Sequence, residues 1–307
     1  MAFHKMTEEE VGIVSKNIPN FSWFLATTGF GFIIVFIAST IMTFSGAIPL
    51  WLGTLLNLLS FYSLFDTLHD CMHGQVHGKH KKLKWMNKAI GVPAGLIVQQ
   101  DFYGWTQQHM AHHKSTNVKG YDPNWSNNTS ALAMWKQTII GYVVMHIYSI
   151  PFIGKKICTK MFTPRQYLYF VKVFPQQWAI QIVINWSLFF TLVFMGYGKY
   201  TFWLWMFPSF VNRIRIHYLF VWTPHKNNKN TESYIDTAIH IRPLGIDRIY
   251  FRQVLDYHLI HHLYPLVPSN RLRRVYKDTE HILRRNGTEF IYGWGWKNKT
   301  GLITRKK

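Results

Sequence analysis

The chain has 307 residues, with 34 Lys and Arg against 14 acidic groups for a net charge of +20, and an aromatic content of 17% that includes 13 Trp. So many aromatics beside only 16% charged residues point away from a soluble domain and towards a membrane protein. The mean hydropathy near zero then requires a large polar part outside the bilayer, and nucleic acid is not expected as a partner, because the basic residues flank long apolar runs as cytoplasmic anchors do.

The first 20 residues carry Glu8, Glu9 and Glu10 and lack an apolar run, so they are not read as a signal peptide. Cys71 and Cys158 are the only cysteines, which implies no disulfide framework. Between Lys16 and Asp66 no residue is charged, and Ser45-Gly46-Ala47-Ile48-Pro49 splits the run into arms over 21–44 and 48–65. Each arm is close to the ~20 residues that cross the hydrocarbon, which predicts a transmembrane hairpin with both outer ends on one side. Lys79, Lys81, Lys82, Lys84 and Lys88 mark that side as cytoplasmic. The second arm runs on into Asp66, His69, Asp70 and His73, a polar stripe at i, i+3, i+4 and i+7. Metal-bound imidazoles commonly give their other N–H to a carboxylate, so Asp66 and Asp70 are expected to support histidine ligands. Gly74 is expected to end the helix, and His77 and His80 to be solvated.

Residues 89–100 are apolar but too short to span, and are expected at the interface. The second histidine cluster follows in Gln108-His109-Met110-Ala111-His112-His113, then a turn at Tyr121-Asp122-Pro123-Asn124-Trp125. Residues 137–154 are uncharged, but a span there would put the later histidines on the far side of the membrane; they are expected in the interface, with His146 packed rather than catalytic. A second hairpin is expected over 174–196 and 200–222, turning at Lys199, with Arg213 and Arg215 where its last arm emerges or lines a polar cavity. The third cluster, His258, His261 and His262, precedes Pro265, which stops its helix; Ser269 is expected to cap the next helix and Gly287 to close it.

A shuffled chain with 16 His would contain His-x-x-His-His about 0.04 times, yet two copies are present. Residues three and four apart share a helix face, so each copy is expected to turn three imidazoles towards a single point. The eight histidines of the three clusters exceed the four ligands of one tetrahedral zinc, which argues for two metals. Imidazole suits Zn, Cu, Fe and Ni alike, and no His-Glu-x-x-His of a zinc peptidase is present. A site on the cytoplasmic face, fed by membrane hairpins, meets lipid-dissolved substrates whose bonds are mainly unactivated C–H. Their oxidation calls for O2 and a redox metal, for which iron is the usual choice. A His-rich metal transporter is the alternative of another class, and would place its ligands near mid-bilayer.

His69-Asp70-x-x-His73, His109-x-x-His112-His113 and His258-x-x-His261-His262-Leu263-Tyr264-Pro265, in this order and separated by a second hairpin, resemble the membrane-integral fatty acid desaturase family, which includes carotenoid hydroxylases and ketolases. The resemblance covers residues 55–280. It implies an all-α membrane protein of four spans, one domain over 1–307, with a cytosolic cap from 66–173 and 223–307 in which the eight histidines hold two iron ions. It also implies a further ligand histidine between the second hairpin and the third cluster; His225 is the candidate, ahead of His217 and His240. The implied activity is O2-dependent oxidation of a membrane lipid, with fatty acyl desaturation ahead of carotenoid hydroxylation or ketolation. The chain shows neither a dinucleotide fingerprint nor an attached haem or ferredoxin domain, so an external electron-transfer protein, a ferredoxin or a small haem protein, is expected to supply electrons.

Overall fold

The computed structural model describes residues 4–119, 121–124, 130–148, 150, 156–157, 176–226, 228–241 and 254–292, without the side chains of 137, 141–142, 144–146, 148, 176–178 and 292. The first elements follow from capping and apolarity. Helix α1 (Glu8–Asn17) starts in a capping box, in which Thr7 and Glu10 satisfy each other's backbone N–H groups. Helices α2 (Trp23–Phe44) and α3 (Leu50–Met72) form the expected hairpin, turned at Gly46 with φ 77°. The two approach closely at Gly53, where an added Cβ would run into the Thr43 hydroxyl.

Helix α2 is long and apolar enough to cross a membrane, and it turns Trp23 (74% exposed) and Ile34 (64%) outwards. Helix α3 is as long, but its polar residues Asn57, Ser60, Asp66, Thr67, His69 and Asp70 are all buried, so its polarity is an inward face. Helix α4 (Trp85–Val98) buries Ile90, Ala94 and Val98 in the same core. Asp101 caps α5 (Phe102–Lys114) and α6 (Ala131–Tyr148) follows. The residues 149 and 151–154 of the expected interfacial stretch, residues 174–175 of the third expected span and the His146 side chain lie outside the described residues.

A continuous apolar run, Ala179–His225, is the second stretch able to cross a membrane. As one straight helix it would be about 70 Å long, more than twice the hydrocarbon thickness. It is not straight. Helix α7 (Gln176–Leu192) passes into a π-turn, Val193–Tyr197, where Gly196 at φ 85° leaves helical space; the break precedes Lys199. The return arm comprises α8 (Gly198–Thr201), a π-turn (Phe202–Met206), α9 (Phe207–Arg215), another π-turn (Ile216–Trp222) and α10 (Thr223–His225). Gln181 donates to the Gly95 carbonyl (2.8 Å) and Trp205 to that of Ile97 (2.9 Å), so two residues that a straight helix would separate by about 36 Å meet one turn of α4. This is the second hairpin.

Both hairpin tips lie together, with Phe44 5.0 Å from Tyr197 and 5.3 Å from Tyr200 between ring centres. Midway down, Asn57 accepts from Ser39 and donates to Thr40 (3.1 Å) and to the Leu204 carbonyl (2.8 Å) in the first return-arm π-turn, where the i to i+4 ladder is interrupted. The opposite end carries the cap: a two-stranded parallel sheet of β1 (Ile239–Ile241) and β2 (Phe290–Tyr292), and helices α11 (His258–Leu263) and α12 (Leu272–Arg285). Leu259, Leu263, Leu272, Val275 and Leu283 form its core, and α1 packs on α12, with Glu9 2.7 Å from His281. Ser269 does not cap α12: its hydroxyl donates to Asp70 (2.6 Å), tying the cap to α3. Gly287, at φ 77°, follows α12 as expected.

Candidate metal centre

At the base of both hairpins the structure gathers all nine histidines expected at the site. His69, His73, His109 and His261 each offer one ring nitrogen within 4.8 Å of the others, and His112, His225, His258 and His262 form a second group on the same criterion. All eight are buried. His113 joins the first group, its Nε2 lying 3.0 Å from Nε2 of both His109 and His261, and its ring stands 4.4 Å from that of His262 in the second.

The expectation that each His-x-x-His-His converges on one point is corrected. On α5, His112 and His113 stand about 100° apart in projection, one on either side of His109. His109 and His113 therefore reach the first group and His112 the second; on α11, His261 reaches the first and His258 and His262 the second. One motif feeds two sites. His217 Nδ1 donates to the Arg213 carbonyl (2.9 Å) and His240 lies buried on β1, both outside the two groups. His77, expected in solvent, is half-buried and hydrogen-bonded to Asn87 (2.8 Å), whereas His80 is exposed.

The ring nitrogens fit metal ions better than they fit each other. His109 Nε2 lies 2.9 Å from His69 Nε2 and 3.0 Å from His113 Nε2, and His258 Nε2 lies 3.0 Å from His225 Nε2 and 3.1 Å from His262 Nε2. An imidazole nitrogen has one in-plane proton or one lone pair, so it cannot serve two such neighbours by hydrogen bonding. A common central ion resolves this. With metal–nitrogen bonds of ~2.1 Å, cis ligands of a six-coordinate ion are about 3.0 Å apart and tetrahedral ones about 3.4 Å. The observed 2.9–3.1 Å matches the former. His73 Nε2 is buried without a hydrogen-bond partner, as a nitrogen aimed at an ion would be.

Electrostatics keeps the rings ready to bind. Burial, then the charges of neighbouring imidazoles, holds His73, His109, His113, His225, His258, His261 and His262 well below the usual histidine range, so they are neutral at physiological pH. Metal ligation needs that form. Three carboxylates stand behind the rings: Asp122 is 2.8 Å from His112 Nδ1, Asp70 is 3.6 Å from His69 Nδ1 and Asp236 is 3.6 Å from His262 Nδ1. Thr116 adds a contact of 3.3 Å to His262 Nδ1. Asp66, expected in this role, instead pairs with Arg215 (3.3 Å), whose guanidinium lies 3.9 Å over the Tyr62 ring.

Sequence reasoning missed Asp122 and Asp236. The first carried a signal, as one of four acidic residues between positions 11 and 231, set in a turn soon after the second cluster. Its Oδ1 and Oδ2 also accept from the backbone of Asn124 and Asn117 (2.7 Å each), so the turn aims the carboxylate at His112. Asp236 carried no signal; Asn117 donates to its carbonyl (2.7 Å) and brings the loop to the site.

With this geometry in place, similarity to known proteins becomes informative. The family model described as fatty acid desaturase matches residues 45–294. The sn-1 oleoyl-lipid 12-desaturase of Picosynechococcus sp. is similar to this chain, 23% identical over 279 residues that cover 80% of this chain and 71% of that protein.

Proposed function

Because the chain belongs to the fatty acid desaturase family, which makes it an O2-dependent oxidoreductase, we propose that it introduces a double bond into the acyl chain of a membrane lipid, using two iron ions held by the histidine groups. The observation that carries this reading is the pair of buried four-histidine groups with cis-like spacing at the base of two helical hairpins. Iron bound there would supply the activation of O2 that breaking an unactivated C–H bond requires.

The chain's own residues do the remainder. The nine imidazoles converge, and Asp122, Asp70 and Asp236 stand behind three of the rings on the Nδ1 side. Burial of the imidazoles excludes bulk water, and the exposed apolar side chains of the hairpins suit contact with lipid. In the overall reaction two C–H bonds on adjacent carbons break and one C=C bond forms. O2 takes up those two hydrogens with two further electrons and two protons and leaves as two waters. The electrons come from an external ferredoxin or small haem protein, which the excess of basic residues favours if the donor is acidic.

The four spans would be 21–44, 48–65, 174–196 and 200–222, with the cap in the cytosol; the shared position of the hairpin tips and the gathering of the histidines at the other end support that arrangement. A carotenoid hydroxylase or ketolase is the second reading. The lipid desaturase among the relatives favours the first. Expression in a host that makes both β-carotene and ordinary phospholipids, with a suitable donor, tests it: new acyl double bonds are expected, and oxygenated carotenoids with an unchanged acyl profile would overturn it.

A further inference from the structure

Phe220 occupies a position shared by no other described residue: it packs against both the hairpin core and the cap core. Its ring meets His69 edge-on at 5.0 Å and His258 edge-on at 5.4 Å, one ring from each histidine group, and lies 6.4 Å from His109. It also meets Phe65, edge-on at 5.5 Å, within the hairpin core. One phenyl ring thus touches the hairpin core, the cap core and a histidine of each group. It remains half-buried, whereas the imidazoles beneath it are buried.

The backbone explains how it gets there. In an α-helix Phe220 and His225, five residues apart, would point about 140° away from each other. The π-turn Ile216–Trp222 widens the coil so that residues five apart come near one face, and the Thr223 backbone N–H donates to the Tyr218 carbonyl five residues back, as does its hydroxyl (2.7 Å). The same irregular turn therefore serves two residues, a ring for the second histidine group and a phenyl over both groups.

We propose that Phe220 is a positioning residue for the substrate, the stop against which an acyl chain coming from the bundle rests, so that it sets which carbons lie over the site. This rests on the acyl-desaturase reading. Hydrogen removal depends on placement to better than about 1 Å. Shortening the stop lets the chain slide by whole methylenes without touching a ligand.

The test uses the full-length protein in the lipid-producing host, with double-bond positions read by mass spectrometry and metal per chain by elemental analysis on the purified protein. The expected result is that Phe220→Ala and Phe220→Leu keep the metal content of the unmutated protein and raise the share of product with a displaced double bond at least tenfold, Ala more than Leu. If Ala does not fold, Leu alone decides, because it keeps most of the apolar volume. An unchanged double-bond position in the folded variants would overturn the proposal. So would parallel loss of metal and activity, which would make Phe220 a packing residue of the histidine groups. Failure of the underlying reading shows itself separately, as an unmutated protein that forms no acyl double bond.

Discussion

The first hairpin supplies His69 and His73 to one histidine group and the second supplies His225 to the other, whereas α5 and α11 serve both. The groups have four mutually close rings each, with His113 added to the first, and differ in how their rings are held. In the second group, His112 has Asp122 at 2.8 Å behind its Nδ1 and His262 has Thr116 at 3.3 Å. In the first group the carboxylate nearest a ring among the described residues is Asp70, 3.6 Å from His69 Nδ1, and the Nδ1 atoms of His113 and His261 are buried without a hydrogen bond, as are those of His225 and His258 in the second. The first group therefore owes its geometry to the stiffness of α3, a continuous helix rooted in the bundle. In the second, reached through a π-turn and two loops, acceptors stand behind two of the four rings, His112 and His262.

The strongest way to break this comparison is to remove one ligand from each hairpin. His73→Ala and His225→Ala should each abolish the proposed desaturation and, for iron bound as proposed, lower it from about two ions per chain to about one, measured by elemental analysis of purified protein. Either variant emptying both sites would show that the groups are a single unit.

A milder change sharpens it. Asp122→Asn should weaken the hold of the second group on its metal by roughly 10–100-fold, read by titration with a chelator, while the first group is unaffected. Asp70→Asn should do less, since its carboxylate stands farther from the ring it faces and is also held by Ser269. Equal effects would remove the asymmetry.

The smallest effect is expected where neither group is favoured. Burial alone would raise the Glu10 carboxyl, but hydrogen bonds from Tyr264, the Thr7 backbone, Tyr234 and His4 outweigh it and bring it from 4.5 down to about 2. Tyr264 directly follows the third cluster's helix, so α1 straps the shared α11 rather than either hairpin. Because the folded value is lowered, the carboxylate stabilises the fold above its unfolded pKa of about 4.5 and loses that contribution as pH falls through about 2. Glu10→Gln should thus lower the melting temperature in detergent at neutral pH. The gap from the unmutated protein should narrow on acidification between those two values, with both metal sites weakened alike.

What could be read in the sequence was what has a period. The uncharged run from 17 to 65 and the i, i+3, i+4 spacing of the histidines specify a hairpin and a ligand face by themselves. The division of each cluster between two sites was not visible, because it depends on what stands opposite His112 and His113. The π-turns were hidden too: Ile216–Trp222 reads as ordinary apolar helix. Asp66 was placed with the ligands for being on their stripe, but Arg215 arrives beside it from 149 residues away in sequence.

The order of the ligands along the chain has a consequence for synthesis. By the time residue 113 has left the ribosome, the first group has three of its four imidazoles, His69, His73 and His109, with His113 beside them; the second has only His112. Three protein ligands are enough to hold a metal ion at many sites. At 5–20 residues per second, roughly 7–30 s pass before His258 is made. During that interval a growing chain that binds iron as proposed can retain it with the first hairpin and α5 alone, whereas the second position cannot fill until the return arm and α11 have been made and folded. The two ions would then enter in a fixed sequence, written into the order in which the histidines are translated.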